Sequence, residues 1–224
     1  GTMPPGGARG ARRVVEKTVP LLDCTAPCRG AMPPGGARSG KGGNRMIKPT
    51  YEQARQYEKD YAYIPVCKEV LADDITPILM LRKLAALDEQ YFLLESAGGG
   101  NSGRYSFLGY HPRLTVSCKD GVTKVKENGM VRIVPGKPKE ALQAILETYR
   151  SPRIEGLPTF TGGLVGYFAY EMIQYAEPKL RIKQSDVNDC ELMMFDRLIV
   201  FDQLHHKLCL IINARAQDGR AGYD

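Results

Sequence analysis

After residue 48 the chain alternates short apolar strand patterns with a few helical ones. Asp120-Gly121 and Asn128-Gly129 separate three of the strand patterns and are typical of two-residue hairpin turns. The predicted strands are residues 62–71, 91–94, 104–109, 114–119, 122–127, 130–134, 159–170, 192–202 and 207–213. The predicted helices are residues 50–61, 78–87 and 137–149. We therefore expect an α+β fold of mixed type, mainly antiparallel sheet with packed helices.

The first 48 residues differ in composition from the rest. They are rich in Gly, Pro and Arg, and a seven-residue segment occurs twice, at 3–9 and 32–38. Such a segment cannot bury enough apolar surface to offset the conformational entropy of the chain, so we expect residues 1–48 to be a disordered basic segment. The composition also favours Met46 as the natural start, with the upstream residues appended or spurious.

The net charge of +6 is concentrated in this segment. Residues 1–48 hold nine Lys or Arg and two Asp or Glu, a net of +7, which leaves 22 basic and 23 acidic residues in the rest. Because the globular part is nearly neutral, we expect no nucleic-acid partner, although a basic arm remains an alternative use of the segment. No run of 18 apolar residues predicts a membrane span, and cysteines beside apolar runs favour a reducing, cytoplasmic setting.

The polar residues that best match a binding site lie in a predicted strand, a glycine loop and a second predicted strand. Residues 91–94 are apolar and are followed at once by Glu95 and Ser96; four of the six residues 98–103 are Gly, and Arg104 then opens the returning strand. Glycines let the chain reverse and approach a ligand closely. A carboxylate and a hydroxyl can bind an ammonium group and a cation can bind a carboxylate, so these side chains match the two ends of a free amino acid.

Two other interpretations of this stretch stay open at this point. The first is an ordinary hairpin whose polar residues cap the strand ends. The second is a phosphate-binding loop, which fits less well, because that loop needs a Lys-Ser or Lys-Thr pair and a helix after the glycines, whereas a strand follows here.

The remaining polar groups form no catalytic or metal-binding set. His205 and His206 lie in a predicted turn without a carboxylate or cysteine at ligand spacing. The acidic loop with Asp186, Asp189 and Glu191 lacks the regular spacing of a calcium loop. We therefore expect no catalytic residue, no metal site and no cofactor in this chain.

Three blocks of sequence resemble anthranilate synthase component I. The blocks are residues 93–96 with the glycine loop and 104–109, residues 162–172, and residues 195–202. They occur in the family's order within about residues 50 to 214, which is more specific than any one block. In that family the element that matches 94–96 lines the pocket of the feedback inhibitor tryptophan, so the resemblance implies that Glu95, Ser96 and Arg104 bind L-tryptophan.

The resemblance also implies a division of the chain. Residues 49–214 would be the family's N-terminal regulatory domain, and residues 215–224 would begin a linker to a catalytic domain that binds chorismate and Mg²⁺. We therefore expect a tryptophan-sensing fragment, truncated before the catalytic half and inactive by itself. The complete family enzyme makes anthranilate and pyruvate from chorismate and ammonia in tryptophan biosynthesis, with ammonia delivered by a glutamine amidotransferase subunit, component II.

Two alternative functions remain. The aminodeoxychorismate synthase component of the folate branch shares the domain, although the Glu95-Ser96 pair with the Arg104 block favours the tryptophan branch. A stand-alone amino-acid-binding module, which is a different class of protein, would bind its ligand without any catalytic half.

Overall fold

The computed structural model describes residues 47–95, 103–180, 182 and 185–223. Within them the strands are β1 (Ile47–Lys48), β2 (Tyr63–Leu71), β3 (Tyr91–Glu95), β4 (Tyr105–Tyr110), β5 (Leu114–Lys119), β6 (Val122–Glu127), β7 (Met130–Val134), β8 (Gly163–Phe168), β9 (Cys190–Phe195), β10 (Arg197–Asp202) and β11 (Lys207–Arg215). The helices are α1 (Tyr51–Arg55), α2 (Pro77–Ala85), α3 (Pro138–Thr148), α4 (Ile173–Ala176) and α5 (Gly219–Tyr223). Single 3₁₀ turns cover Tyr170–Met172 and Ala216–Asp218.

The strands form two antiparallel sheets. Sheet A has the order β1-β2-β11-β10-β4-β3, and sheet B has the order β7-β6-β5-β9-β8. Every pair of neighbouring strands is antiparallel. The predicted α+β class with mainly antiparallel sheet is confirmed.

Three buried clusters connect the sheets and the helices. The first joins the two sheets and contains Cys67, Phe92, Phe195, Leu198, Val200, Cys209 and Ile211. The second packs α3 on sheet B and contains Leu114, Val116, Val125, Ile145, Leu192 and Met194. The third packs α2 on sheet A and contains Leu84, Leu108, Phe201 and Leu208. Alternate residues of the central strands therefore enter different clusters, as the pleat of a strand requires.

The two predicted hairpin turns are present. Asp120 and Asn128 have φ of 48° and 51°, and the glycines that follow, Gly121 and Gly129, have φ of 78° and 79°. Two successive residues with positive φ are the geometry that Asp-Gly and Asn-Gly pairs favour between antiparallel strands. β5, β6 and β7 consequently pair as a meander at the end of sheet B that lies farthest from β8.

The predicted helix over residues 50–61 is shorter in the structure. Thr50 caps α1, with its hydroxyl accepting from the Gln53 amide at 3.4 Å and the Gln53 side chain accepting from the Thr50 amide at 2.9 Å. The helix ends at Arg55, and tighter three-residue hydrogen bonds follow, such as Tyr57 N to Ala54 O at 3.0 Å. Since Ala54 is the one residue of α1 that is buried, there is no long apolar stripe to hold a longer helix.

The predicted single strand over residues 192–202 is wrong in one respect, because the chain changes sheets at Asp196. β9 pairs with β5 and β8 in sheet B, whereas β10 pairs with β4 and β11 in sheet A. Around the crossing, the Asp196 carbonyl accepts from the backbone and side-chain amides of Asn213, at 2.9 and 3.2 Å. Because β9 and β10 are both apolar, the hydrophobic pattern continues across Asp196 and gives no sign that the chain passes from sheet B to sheet A.

No helix in the described part of the chain combines the length and the apolar composition that a bilayer crossing needs.

Candidate amino-acid-binding site

The ends of β3 and β4 carry two of the three predicted tryptophan-binding residues. Glu95 is the last residue of β3, is exposed, and lies opposite Ser106 of β4. Arg104 directly precedes β4, and its carbonyl accepts from the backbone amide of Gln203 at 2.9 Å. Ser96 lies outside the described residues.

Arg104 is held by a forked ion pair with Asp202, the last residue of β10. Its Nε lies 3.2 Å from both carboxylate oxygens, and its Nη2 lies 2.7 Å from Oδ2. The guanidinium also stacks on the ring of Tyr105, with its carbon 4.7 Å from the ring centroid. Hydrogen bonding to Asp202 raises the pKa of Arg104, so the side chain is a fixed cation.

Asp202 organises the turn between β10 and β11 as well. Its Oδ1 accepts from the backbone amides of Leu204 and His205 at 3.1 and 3.3 Å, and its Oδ2 lies 2.9 Å from His205 Nδ1. Burial would raise the pKa of Asp202, but the hydrogen bonds from Arg104 and His205 outweigh it and hold that pKa well below its usual range. We call Arg104, Asp202 and His205 the Arg104 cluster.

A small cavity of about 130 Å³ adjoins the Arg104 cluster. Besides the cluster, its walls include Glu69, Tyr105, Lys207 and Cys209. Glu69 pairs with Lys207 at 3.1 Å, and that hydrogen bond lowers the pKa of Glu69. The cavity thus has ionised groups of both signs, which suits a ligand that carries an ammonium and a carboxylate.

The structure places Glu95 and Asp202 on opposite faces of sheet A. Glu95 lies on the face of Leu93, which packs beside α2. Asp202 is paired in register with Tyr105, whose ring packs against the cluster that joins the two sheets. Because side chains alternate along a strand, a ligand that touches both Glu95 and Arg104 must cross the end of the β3–β4 pair.

Sequence reasoning missed Asp202 as a site residue. His205 lies in the predicted turn and is exposed, and it also contacts the Asp202 carboxylate three residues earlier. An Asp three residues before a His at the end of a strand is a pattern that the sequence displays, since Asp side chains often accept from amides two or three residues on. What the sequence does not display is the pairing of Asp202 with Arg104, which are separated by 98 positions.

Comparison with known proteins identifies relatives of the chain, although no family model matches it. Anthranilate synthase component 1 of Acetivibrio thermocellus is 36% identical over 172 residues, covering 75% of this chain and 35% of that protein. The proteins of the same name from Arthrobacter globiformis and Neisseria meningitidis are each 36% identical, over 173 and 177 residues. Each of these two alignments includes 75% of this chain. They cover 33% and 36% of the length of the two relatives.

This chain is homologous to anthranilate synthase component 1. It spans about a third of the length of the curated relatives that it matches. A solved anthranilate synthase component I from Streptococcus pneumoniae superposes with a TM-score of 0.44 at 24% identity, over 66% of this chain and 32% of that one. The predicted family relationship is thus confirmed on sequence, while the binding roles of Glu95, Ser96 and Arg104 remain predictions.

The three blocks that resemble anthranilate synthase component 1 are neighbours in space. Arg104, which opens the second half of the first block, binds Asp202, the last residue of the third block. The glycine-rich block contains β8, and Gly163 of that strand is paired in register with Phe195, where the last block begins. The three blocks therefore meet at the Arg104–Asp202 pair and at the β8–β9 pair.

Proposed function

We propose that this chain is the N-terminal, tryptophan-sensing part of an anthranilate synthase component I. The observation that carries the proposal is the homology, which covers three quarters of this chain and a third of the relatives. In the complete enzyme the remaining two thirds would bind chorismate and form anthranilate and pyruvate, with ammonia from a glutamine amidotransferase subunit. The part proposed here would regulate that reaction in the first step of tryptophan biosynthesis.

The proposed site holds the amino-acid end of tryptophan. Glu95 and Ser96 would bind the ammonium group, and Arg104 would bind the carboxylate. Within the described residues the hydrogen bonds of Arg104 use Nε and Nη2, so we assign the carboxylate to Nη1. Asp202 and Tyr105 position the guanidinium, and a preorganised cation loses less conformational entropy when the ligand binds.

The indole ring needs additional walls. The cavity beside the Arg104 cluster has a volume of about 130 Å³, whereas small-molecule pockets typically have roughly 300–1,000 Å³. We therefore propose that other parts of the complete enzyme cover the ring, so that this chain alone binds tryptophan weakly or not at all.

The Mg²⁺ ion that the family implies does not fit the residues described here. Among them no group of three or more His, Cys, Asp or Glu side chains comes together to hold a metal ion. We assign no catalytic step to this part of the chain, and we expect the purified 224-residue chain to form no anthranilate from chorismate, Mg²⁺ and ammonia. Anthranilate is fluorescent, and turnover above background would contradict this expectation.

The experiment that tests the proposal is a domain exchange. The third of the Acetivibrio thermocellus relative that aligns with this chain is replaced by the corresponding residues of this chain. We expect the chimera to form anthranilate and to be inhibited by L-tryptophan, with its turnover serving as the folding control. An active chimera that tryptophan does not inhibit would refute the sensing role, and micromolar tryptophan binding by this chain alone would favour the stand-alone binding module.

A further inference from the structure

A second cavity lies at the other end of β3 and β4, away from the predicted tryptophan site. It has a volume of about 320 Å³ and is bordered by Gln90, which precedes β3, and by His111, which follows β4. Its walls come from both sheets, because Lys126 belongs to β6 of sheet B and Arg197 to β10 of sheet A. We call it the Lys126 cavity.

The basic residues of the Lys126 cavity differ in how they are paired. Arg113 lies 3.4 Å from Asp196 and 3.7 Å from Glu127, so acidic neighbours already compensate its charge. Lys126 and Arg197 face the same cavity, yet neither forms an ion pair with any residue that the structure describes. Two cations that form no ion pair with a described residue, one from each sheet, thus border one cavity, together with the Asp196 carboxylate that pairs with Arg113.

The other polar groups of the walls are the Asp196 carboxylate, the His111 imidazole and several neutral hydrogen-bonding groups. Thr115 contributes a hydroxyl, Gln90 and Asn128 contribute side-chain amides, and the Asn128–Gly129 turn lies between the paired residues of β6 and β7. Turn amides, side-chain amides and an Arg–Lys pair are the groups that bind the oxygens of phosphates and carboxylates. The volume is at the lower end of the range for small-molecule pockets.

We propose that the Lys126 cavity binds the oxyanion group of a small molecule, a phosphate monoester or a dicarboxylate. Lys126 and Arg197 contact the oxyanion directly, and Arg113, held by Asp196 and by the Tyr149 hydroxyl at 3.1 Å, borders the same cavity as an already paired cation. The site does not depend on tryptophan binding, because none of its wall residues contributes to the Arg104 cluster.

The test is a titration of the 224-residue chain at constant ionic strength. Inorganic phosphate and malonate are the two probes, sodium chloride is the reference, and binding is followed by calorimetry and by the thermal midpoint. We expect saturable binding of one probe: phosphate if the natural ligand is a phosphate monoester, malonate if it is a dicarboxylate. Lys126→Gln and Arg197→Gln should each weaken that binding about 10- to 100-fold, the usual effect of losing a charged hydrogen-bond partner.

Lys124→Gln is the matched control. Lys124 is on the same strand and face as Lys126, two residues away, and does not border the cavity. Its removal should leave probe binding unchanged. If Lys124→Gln weakened probe binding as much as Lys126→Gln does, the binding would come from non-specific electrostatic attraction, and the proposed site would be refuted. Absence of saturable binding for both probes would also refute it. Ser96→Ala should not change probe binding, so failure of this site and failure of the tryptophan site are distinguishable.

Discussion

Asp202 connects the start of β4 to the turn between β10 and β11. Its side chain is 8% exposed, whereas the Arg104 side chain is 34% exposed, so the pair lies at the boundary between core and solvent. An ion pair in that position contributes more than a fully exposed one, because water screens it less. At the scale of single residues, the Arg104 cluster therefore stabilises the contact between β4 and the β10–β11 turn, and it also positions Arg104 in the proposed site.

The first prediction concerns Asp202→Asn. At neutral pH we expect the substitution to lower the free energy of unfolding by about 1.5–3 kcal/mol, the usual contribution of hydrogen bonds to a charged group. Urea denaturation measures the change, and Asp186→Asn, at an exposed loop position, is the control that should have no effect. An unchanged free energy of unfolding in Asp202→Asn would show that the Arg104 cluster does not stabilise the turn between β10 and β11.

The same residue predicts a dependence on pH. The folded-state pKa of Asp202 is lowered, so its stabilising contribution is complete above the unfolded-state pKa of about 3.9 and is lost as the pH falls towards the folded-state value. The difference in unfolding free energy between wild type and Asp202→Asn should consequently be constant from about pH 5 to pH 7 and shrink below pH 4. A difference that grows on acidification would contradict the sign of this shift.

At the scale of elements, β8 packs so closely on β9 that one position requires glycine. A Cβ added to Gly166 would lie 2.0 Å from the carbonyl oxygen of Glu191 and 2.8 Å from the Cα of Leu192. Both are backbone atoms, which cannot rotate away as a side chain can. Gly166 thus fixes the spacing between β8, which belongs to the glycine-rich block, and its neighbour β9 in sheet B.

We predict that Gly166→Ala destabilises the fold by about 3 kcal/mol, at the upper end for overpacking. Gly156→Ala is the comparison, because Gly156 has a positive φ of 84° but no described heavy atom near its added Cβ. Its cost should be about 1–2 kcal/mol, from the backbone alone. Thermal or urea unfolding of both variants measures the difference, and equal costs would argue against the close approach of β8 and β9.

The elements also show how far the sequence predicts the fold. β5, β6 and β7 have the predicted bounds, because Asp-Gly and Asn-Gly turns determine where such strands end. Helix α3 matches within a residue at each end, since its apolar face is unambiguous. The crossing at Asp196 was missed because strand patterns give the buried face and not the sheet to which a strand belongs.

The candidate site was less predictable than the fold. The resemblance indicated Glu95, Ser96 and Arg104, but the partner that orients Arg104 is 98 positions away and is revealed only by the register of β4 with β10. The positions of Glu95 and Asp202 on opposite faces likewise follow from strand pairing. Local pattern therefore predicts which groups are available, and topology decides which of them meet.

At the scale of the whole molecule, we predict that residues 1–45 contribute little to stability. Their composition cannot form a packed core, so removing them should shift the thermal midpoint by less than about 2 °C, which corresponds to at most about 0.5–1 kcal/mol. Differential scanning calorimetry of the full and shortened chains makes the comparison. A large loss of stability, or protected amides in this segment by hydrogen exchange, would refute the prediction.

The central claim is that this part of the protein senses tryptophan, and the inhibition curve of a complete enzyme carrying it tests that claim most directly. Removing the Ser96 hydroxyl should leave a buried ligand group without its partner, at a cost of about 1–3 kcal/mol, or roughly 5- to 150-fold in affinity. We therefore predict that Ser96→Ala raises the half-inhibiting tryptophan concentration by that factor, with turnover in the absence of tryptophan near wild type. Ser102→Ala, in the same loop, should leave the curve in place. An unchanged inhibition curve in Ser96→Ala would contradict the proposed tryptophan site and would favour the interpretation of this stretch as an ordinary hairpin.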